Sequence, residues 1–464
     1  MKHLILIIAS LCFSALFYQQ TIGLNLSLFS IITIAILWWH NKPQFQNQTT
    51  IIYASIYLVT AILVFIQGTA LAIFTNIFSF FTLIGSVSSN KNSIYVQWIN
   101  GFYTVIAGYF HRKFDSDVTP VQTALKKDID ILHWVKLIGI PLVFIIVFIL
   151  LYKNGNPIFE DVIAQINFDF INLQWILMTV LGYFLFNNIS QPVTIEPATT
   201  LDLNTVNILI ERKNTSEEKN KKDNQLGTTL LAFLNLLIVF YSITDVMSLL
   251  TNTVDSANHL SIQVHNGINA LIASIIIAIL TILFFFRSDL NFYKKNKTIK
   301  NLTYLWIGLN SILIVLISIK NYQYVSAFGF TYKRLGVFAY LLMTFFGLIT
   351  TFIKVYKIKN IWYLVRVNSQ IAFVICMLSA TINWDYSITK FNINNAKVLD
   401  ITYLIHLKGN NSQLLKTYAQ QYTLSEPINS QINQKWTSHN QSLSLMNWQE
   451  YSLENFTNTS KTNQ

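Results

Sequence analysis

Long apolar blocks separated by short polar breaks run through most of the chain, and few of them alternate as a strand or a surface helix would. Residues 137–152, 230–241, 268–286 and 335–352 are typical blocks. Several approach the roughly 20 residues that an α-helix needs to cross hydrocarbon. Windowed along the chain, the pattern predicts spans near 4–17, 23–39, 51–66, 69–87, 132–152, 170–186, 226–250, 265–286, 302–319, 335–353 and 361–382. The expected fold is all-α, a polytopic transmembrane helical bundle of about eleven spans with a small helical C-terminal tail.

Residues 94–110 are the doubtful extra span. Gln97 and Asn100 interrupt the block, and Tyr95, Trp98, Tyr103 and Tyr109 give it the aromatic character of a membrane interface. Charge placement decides the matter, because short cytoplasmic loops hold the excess of Lys and Arg. With the N-terminus inside and 94–110 lying in the interface, inner segments collect Lys2, Lys42, Arg112, the basic residues of 287–300, Lys354, Lys357 and Lys359. Outer segments hold only Lys153, Lys320, Lys333 and Arg334. Letting 94–110 cross would reverse the bias.

At the start, Lys2 and His3 precede an apolar run from Leu4 to Leu16, as in a secretory leader, but no small-x-small cleavage pattern follows. The segment reads as the first membrane helix. The expected organisation is an N-terminal membrane bundle over 1–187, a charged and flexible cytoplasmic linker over 188–225, a C-terminal membrane bundle over 226–382, and an extracytoplasmic tail over 383–464. In the tail, amphipathic patterns appear at 401–407, 414–422 and 443–453, and 455–464 reads as disordered.

Composition agrees with this. Of 464 residues 53% are hydrophobic and only 11% charged, well below the roughly 25% charge of a soluble domain. The net charge of +11 falls between apolar blocks, not on one amphipathic face, so it points to topology and to anionic lipid headgroups on the cytoplasmic side, with no nucleic-acid partner. Cys12 and Cys376 lie inside apolar blocks and are expected to pack as small hydrophobes. The expected location is the cytoplasmic (inner) membrane, N-terminus inside and C-terminus outside.

Polar groups within spans cost up to about 3 kcal/mol each and need partners. Asn235, Ser242 and Asp245 share one face of their span, and His265 and Asn269 lie one turn apart on the next. Together with Tyr332, Lys333, Arg334 and Asp385 they form a candidate polar site at the outer side of the C-terminal bundle. Lys333 and Arg334 run against the charge bias, which suggests pairing with Asp245, Asp385 or an anionic headgroup. Helix ends also use such residues as anchors and interhelical glue. Arg366 is expected to snorkel toward the headgroups.

No HExxH, P-loop or GxSxG pattern appears, and the histidines lack metal-ligand spacing. Two D-x-D pairs, Asp115 with Asp117 and Asp128 with Asp130, are too short to be specific. No catalytic residue, metal or cofactor is implied. The leading expectation is a non-enzymatic scaffold or accessory protein presenting its outer surface and tail to a protein partner. The alternatives are a transporter or lipid-handling protein with a polar cavity near Asp245, and a membrane-embedded transferase.

Short sequences in the C-terminal half resemble an uncharacterised bacterial membrane-protein family, domain of unknown function 4173 or the related 4153. They are Gln263-Val264-His265-Asn266-Gly267, the run from Tyr304 to Asn310, the run from Phe328 to Arg334, Leu364-Val365-Arg366-Val367-Asn368, Trp384-Asp385, and Asp400-Ile401-Thr402-Tyr403-Leu404. Gly139-Ile140-Pro141 and Asn156-Pro157-Ile158-Phe159 are similar in the N-terminal half. The resemblance covers about two thirds of the chain; it implies a polytopic membrane fold and no established activity or site residue.

Overall fold

A computed structural model describes residues 2–118, 172–211, 216–251, 273–287 and 289–459, with scattered positions between 137 and 159 and at 267. Helices α1 (Lys2–Phe17), α2 (Leu24–His40), α3 (Gln48–Gln67), α4 (Ala70–Ser88), α5 (Ile94–Val118), α6 (Leu173–Ser190) and α7 (Glu196–Asn204) form the first part. Then follow α8 (Glu217–Thr251), α9 (Ala273–Phe285), α10 (Lys297–Phe328), α11 (Tyr332–Tyr356) and α12 (Ile361–Ala380). Among the described residues the only extended pairing is an isolated antiparallel bridge between Ile208 and Lys359.

The apolar blocks become helices because hydrocarbon leaves backbone N–H and C=O groups no partner but one another. Among the described residues α3, α4, α8, α10, α11 and α12 are long and apolar enough to cross a membrane, and α1, α2 and α9 are shorter apolar helices. The protein is membrane-embedded. Two apolar cores hold it together, one around Leu37, Tyr57, Leu83, Ile84 and Phe186, the other around Leu231, Phe286, Ile299, Trp306 and Val355. Helix α1 belongs to the first core through Leu6 and Ala9, and Thr179 donates to Ser14 across α6 and α1 at 2.9 Å.

Polar contacts sort the loops into two ends. One end joins Tyr18 to Asn172, Gln67 to Thr381, and Asn321 to Arg334. The other joins Asn41 to Ser190, Asn92 to Asp202, Lys354 to the Phe286 carbonyl, and Leu209 to the Ile358 carbonyl. Helix α5 belongs to the second end along much of its length. Asn100 meets Thr199, Thr104 meets Val193, and Arg112 donates to carbonyls of Asn187 and Gln191.

Three local differences from the sequence reading have physical causes. The segment 188–211 carries α7 and makes side-chain contacts with α5 and α12, where a flexible linker was expected, because its polar groups answer those helices' own unpaired ones. The charged run before residue 226 is the first part of α8, supported by an i,i+4 pair of Glu218 and Lys222. Cys12 is exposed on the outside of α1, not packed, while Cys376 meets the Thr75 hydroxyl at 3.3 Å.

The residues after 383 form a folded cap. It comprises α13 (Trp384–Asn395), α14 (Ile401–His406), α15 (Ser412–Gln421), α16 (Glu426–Leu445), a 3-10 turn (Trp448–Glu450) and α17 (Leu453–Thr459). Its core is Ile388, Leu404, Leu415 and Ile432, with Phe330 and Leu335 of the bundle packed against it. The pattern expected as one helix at 443–453 is instead a helix end, a turn and a new start, and part of the stretch expected to be disordered lies within α17.

Candidate functional site

The polar cluster at the cap grows from the junction between α10 and α11. Helix α10 ends on Gly329, whose φ of +74° is a left-handed conformation costly for other residues, and a Cβ there would lie 2.5 Å from the Asn392 side chain. Asn392 closes that junction by accepting from Phe330 N–H and donating to the Phe330 carbonyl at 2.9 Å. Thr331 then caps α11, accepting from Arg334 N–H.

Tyr332 begins α11 and faces the cap twice. Its hydroxyl donates to Asp385 Oδ1 at 2.7 Å, and its N–H donates to the Tyr403 hydroxyl at 2.9 Å. Asp385 is buried in the first turn of α13, where the helix dipole also favours its charge. The Tyr403 hydroxyl is pushed up by burial and by the nearby charge of Asp385. Deeper in the cap, Lys435 donates to the carbonyls of Leu404, Ile405 and Leu407, the open end of α14. Burial pulls its ammonium down to about 8.

Of the described residues predicted as one site, the structure joins Tyr332 to Asp385 and gives Asp245 and Arg334 other partners. Asp245 pairs with Lys320, joining α8 to α10. Asp245 is 8% exposed, and its Oδ2 has no hydrogen-bond partner among the described residues. Arg334 does not pair with Asp245 or Asp385. It donates to the Phe328 and Gly329 carbonyls and stacks 3.9 Å from the Tyr324 ring, because the end of α10 presents orphan carbonyls beside it. Lys333 is exposed and forms no pair with either acid. His265, Asn269, Asp128 and Asp130 lie outside the described residues. Asn235, on the same face as Asp245, donates to the Leu231 and Leu302 carbonyls.

The densest polar constellation lies at the opposite end and centres on Asp202 of α7. Its carboxylate accepts from Ser93 N–H and Oγ at 2.7 Å each, from Tyr95 at 3.0 Å, from Asn92 at 3.1 Å, and from Arg366 of α12 at 2.8 and 3.0 Å. Arg366 sends its remaining N–H groups to the Asp202 carbonyl, the Thr205 carbonyl and Asn207 Oδ1. A guanidinium has five donors, and these contacts use them all. Burial raises the Asp202 pKa, but the hydrogen bonds from Ser93, Arg366 and Tyr95 outweigh it and hold the carboxyl at about 2.

Arg366 therefore does not snorkel; it pairs. Sequence reasoning missed Asp202 because a lone acid in a polar segment carries no signal of a partner 164 positions away. Arg366 within an apolar span was the one visible sign that such a partner existed. Saturated in this way, the pair has no lone pair or N–H left for a ligand. Among the described residues no group of His, Cys, Asp and Glu could hold a metal ion.

The family described as Domain of unknown function (DUF4153) matches residues 5–418, from the first helix into α15. No curated protein and no solved structure matches the chain.

Proposed function

The chain belongs to the DUF4153 family, and from that premise we propose that it is a multi-pass protein of the bacterial cytoplasmic membrane whose rigid outer cap is presented to a protein partner. The observation that carries this reading is how the outer polar residues are used. Asp385, Asn392 and Tyr403 spend hydrogen bonds fixing the cap to Phe330 and Tyr332 at the junction of α10 and α11, and Arg334 closes the end of α10 beside them. Such a joint transmits position and leaves the cap's outer surface to do the binding.

In this reading about eleven crossings place the N-terminus inside and the cap outside, with α5 riding at the inner interface. Basic residues support that orientation: Lys42, Lys91, Lys357 and Lys359 flank the end built around Asp202. Exposed Trp38 and Trp39 lie beneath Lys42 at that same end, as an aromatic belt facing anionic headgroups would.

Two measurements test the proposal. Reporter fusions at Lys297 and at Gln464 should report opposite compartments; the same compartment for both overturns the orientation. In cells lacking the protein, Asp245→Asn should restore the lost phenotype, whereas a chain ending at Thr381, present at equal abundance, should not. The reverse result overturns the role of the cap.

A second reading, a transporter or lipid-handling protein with a polar cavity, is favoured by the buried Asp245 Oδ2, which has no hydrogen-bond partner among the described residues. Rapid reaction of Ser242→Cys with a membrane-impermeant thiol reagent in whole cells would reveal a hydrated crevice there, and no reaction would exclude one.

A further inference from the structure

The last turn of the cap carries its polar and apolar groups on opposite sides. Four contacts pin it to the ends of α1 and α2. Thr21 N–H donates to Glu450 Oε1 at 2.6 Å, Leu24 N–H to the Tyr451 carbonyl at 2.9 Å, Asn447 to Gln20 Oε1 at 3.0 Å, and Gln449 to the Ala15 carbonyl at 3.2 Å. The approach is close enough that a Cβ on Gly23 would lie 2.0 Å from the Glu450 carbonyl oxygen. Burial raises the Glu450 carboxyl, but bonds from Thr21 and Asn447 outweigh it and hold it below its ordinary value.

With the polar groups turned onto the helix ends, the apolar ones keep much of their surface exposed. Leu445 is 74% exposed, Trp448 52% and Phe456 54%. Isolated exposed apolar residues are ordinary, but these gather within a few residues of one pinned turn. They also continue the outward apolar face of the membrane helices. Phe456 packs at a tilt on Phe65 in the last turn of α3, beside exposed Ile66, and Gln449 anchors the turn over exposed Ala15 of α1.

We propose that this turn and α17 are seated in the interfacial layer of the bilayer, with Trp448, Leu445 and Phe456 inserted among the lipids around the ends of α1 and α3. Tryptophan favours that layer because its ring is apolar and its N–H can stay hydrated. The cap then has one edge in lipid and the remainder in water. The inference requires only that α1–α3 lie in the membrane, so its failure is distinguishable from failure of the cap to bind a partner.

Site-directed spin labelling of the full chain in phosphatidylcholine vesicles tests it. In a background of Cys12→Ser and Cys376→Ser, labels are placed at Trp448→Cys, at Leu445→Cys and, as a water-exposed control on the same cap, at Tyr422→Cys. Labels at 448 and 445 should collide with oxygen, relative to an aqueous nickel complex, several times more often than the label at 422. An equal ratio at all three positions would place the turn in water. Low collision with both reagents at 448 and 445 would mean that protein, not lipid, covers it. Either result overturns the proposal.

Discussion

The two ends of the molecule are fastened by different chemistry. At the Asp202 end, a charged pair from helices far apart in sequence is buried and every donor and acceptor on it is used. At the cap end, separate and mostly one-for-one hydrogen bonds, such as Tyr332 to Asp385 and Asn392 to Phe330, are backed by an apolar core around Leu404 and Leu415. Burying opposite charges is costly unless both stay satisfied, so the first joint fails as a unit. The second can lose one bond and keep the rest. The Asp245–Lys320 pair fits neither description, since among the described residues one buried carboxylate oxygen has no partner.

The contrast gives a graded set of expected outcomes. Arg366→Ala strands the buried Asp202 charge and should cost about 3–5 kcal/mol in reversible unfolding of the detergent-purified protein. Adding Asp202→Asn should recover part of that loss; a single variant with unchanged unfolding would remove the claim that this end fails as a unit. Tyr332→Phe removes one bond to a carboxylate and should cost about 1.5–3 kcal/mol. Its hydrogen exchange should quicken in the cap and stay unchanged around Asp202, and uniform quickening would mean the two joints are coupled. Gly329→Ala meets Asn392 and a disfavoured φ, at about 1–3 kcal/mol, again with exchange rising first in the cap.

Acid should separate the ends too. The folded Asp202 carboxyl titrates near 2 against an ordinary 3.8, so its contribution is complete above pH 3.8 and is lost as pH falls toward about 2. Unfolding of Asp202→Asn should therefore lose part of that acid dependence, while Tyr332→Phe keeps it. At the small end, exposed Lys333→Ala should move stability by no more than about 0.5 kcal/mol. A larger loss would show a contact at that position that the cap geometry does not contain.

Legibility from sequence followed the range of the interactions concerned. The long apolar helices among the described residues could be read because apolar length is a local property. Helix α16 was missed: its sequence is rich in Asn, Gln and Ser, and only Ile432 is fully buried, so it carries little periodic signal. The start of α8 at Glu217 was missed because a charged run gives no apolar face even when i,i+4 pairs make it helical. Asp385 and Tyr332 were picked out by residue type, but their joining depended on the cap folding back over α11.

By itself, then, the order of residues determined that the protein is helical and membrane-embedded, because hydrocarbon imposes its length and composition on each segment separately. Only the tertiary structure decided which polar side chains meet. Arg366 found Asp202 and not a headgroup, Arg334 found carbonyls and not an acid, and Glu450 reached the loop before α2. A hydrogen bond acts over about 3 Å, and no pattern along the chain encodes which distant donors and acceptors packing will bring that close.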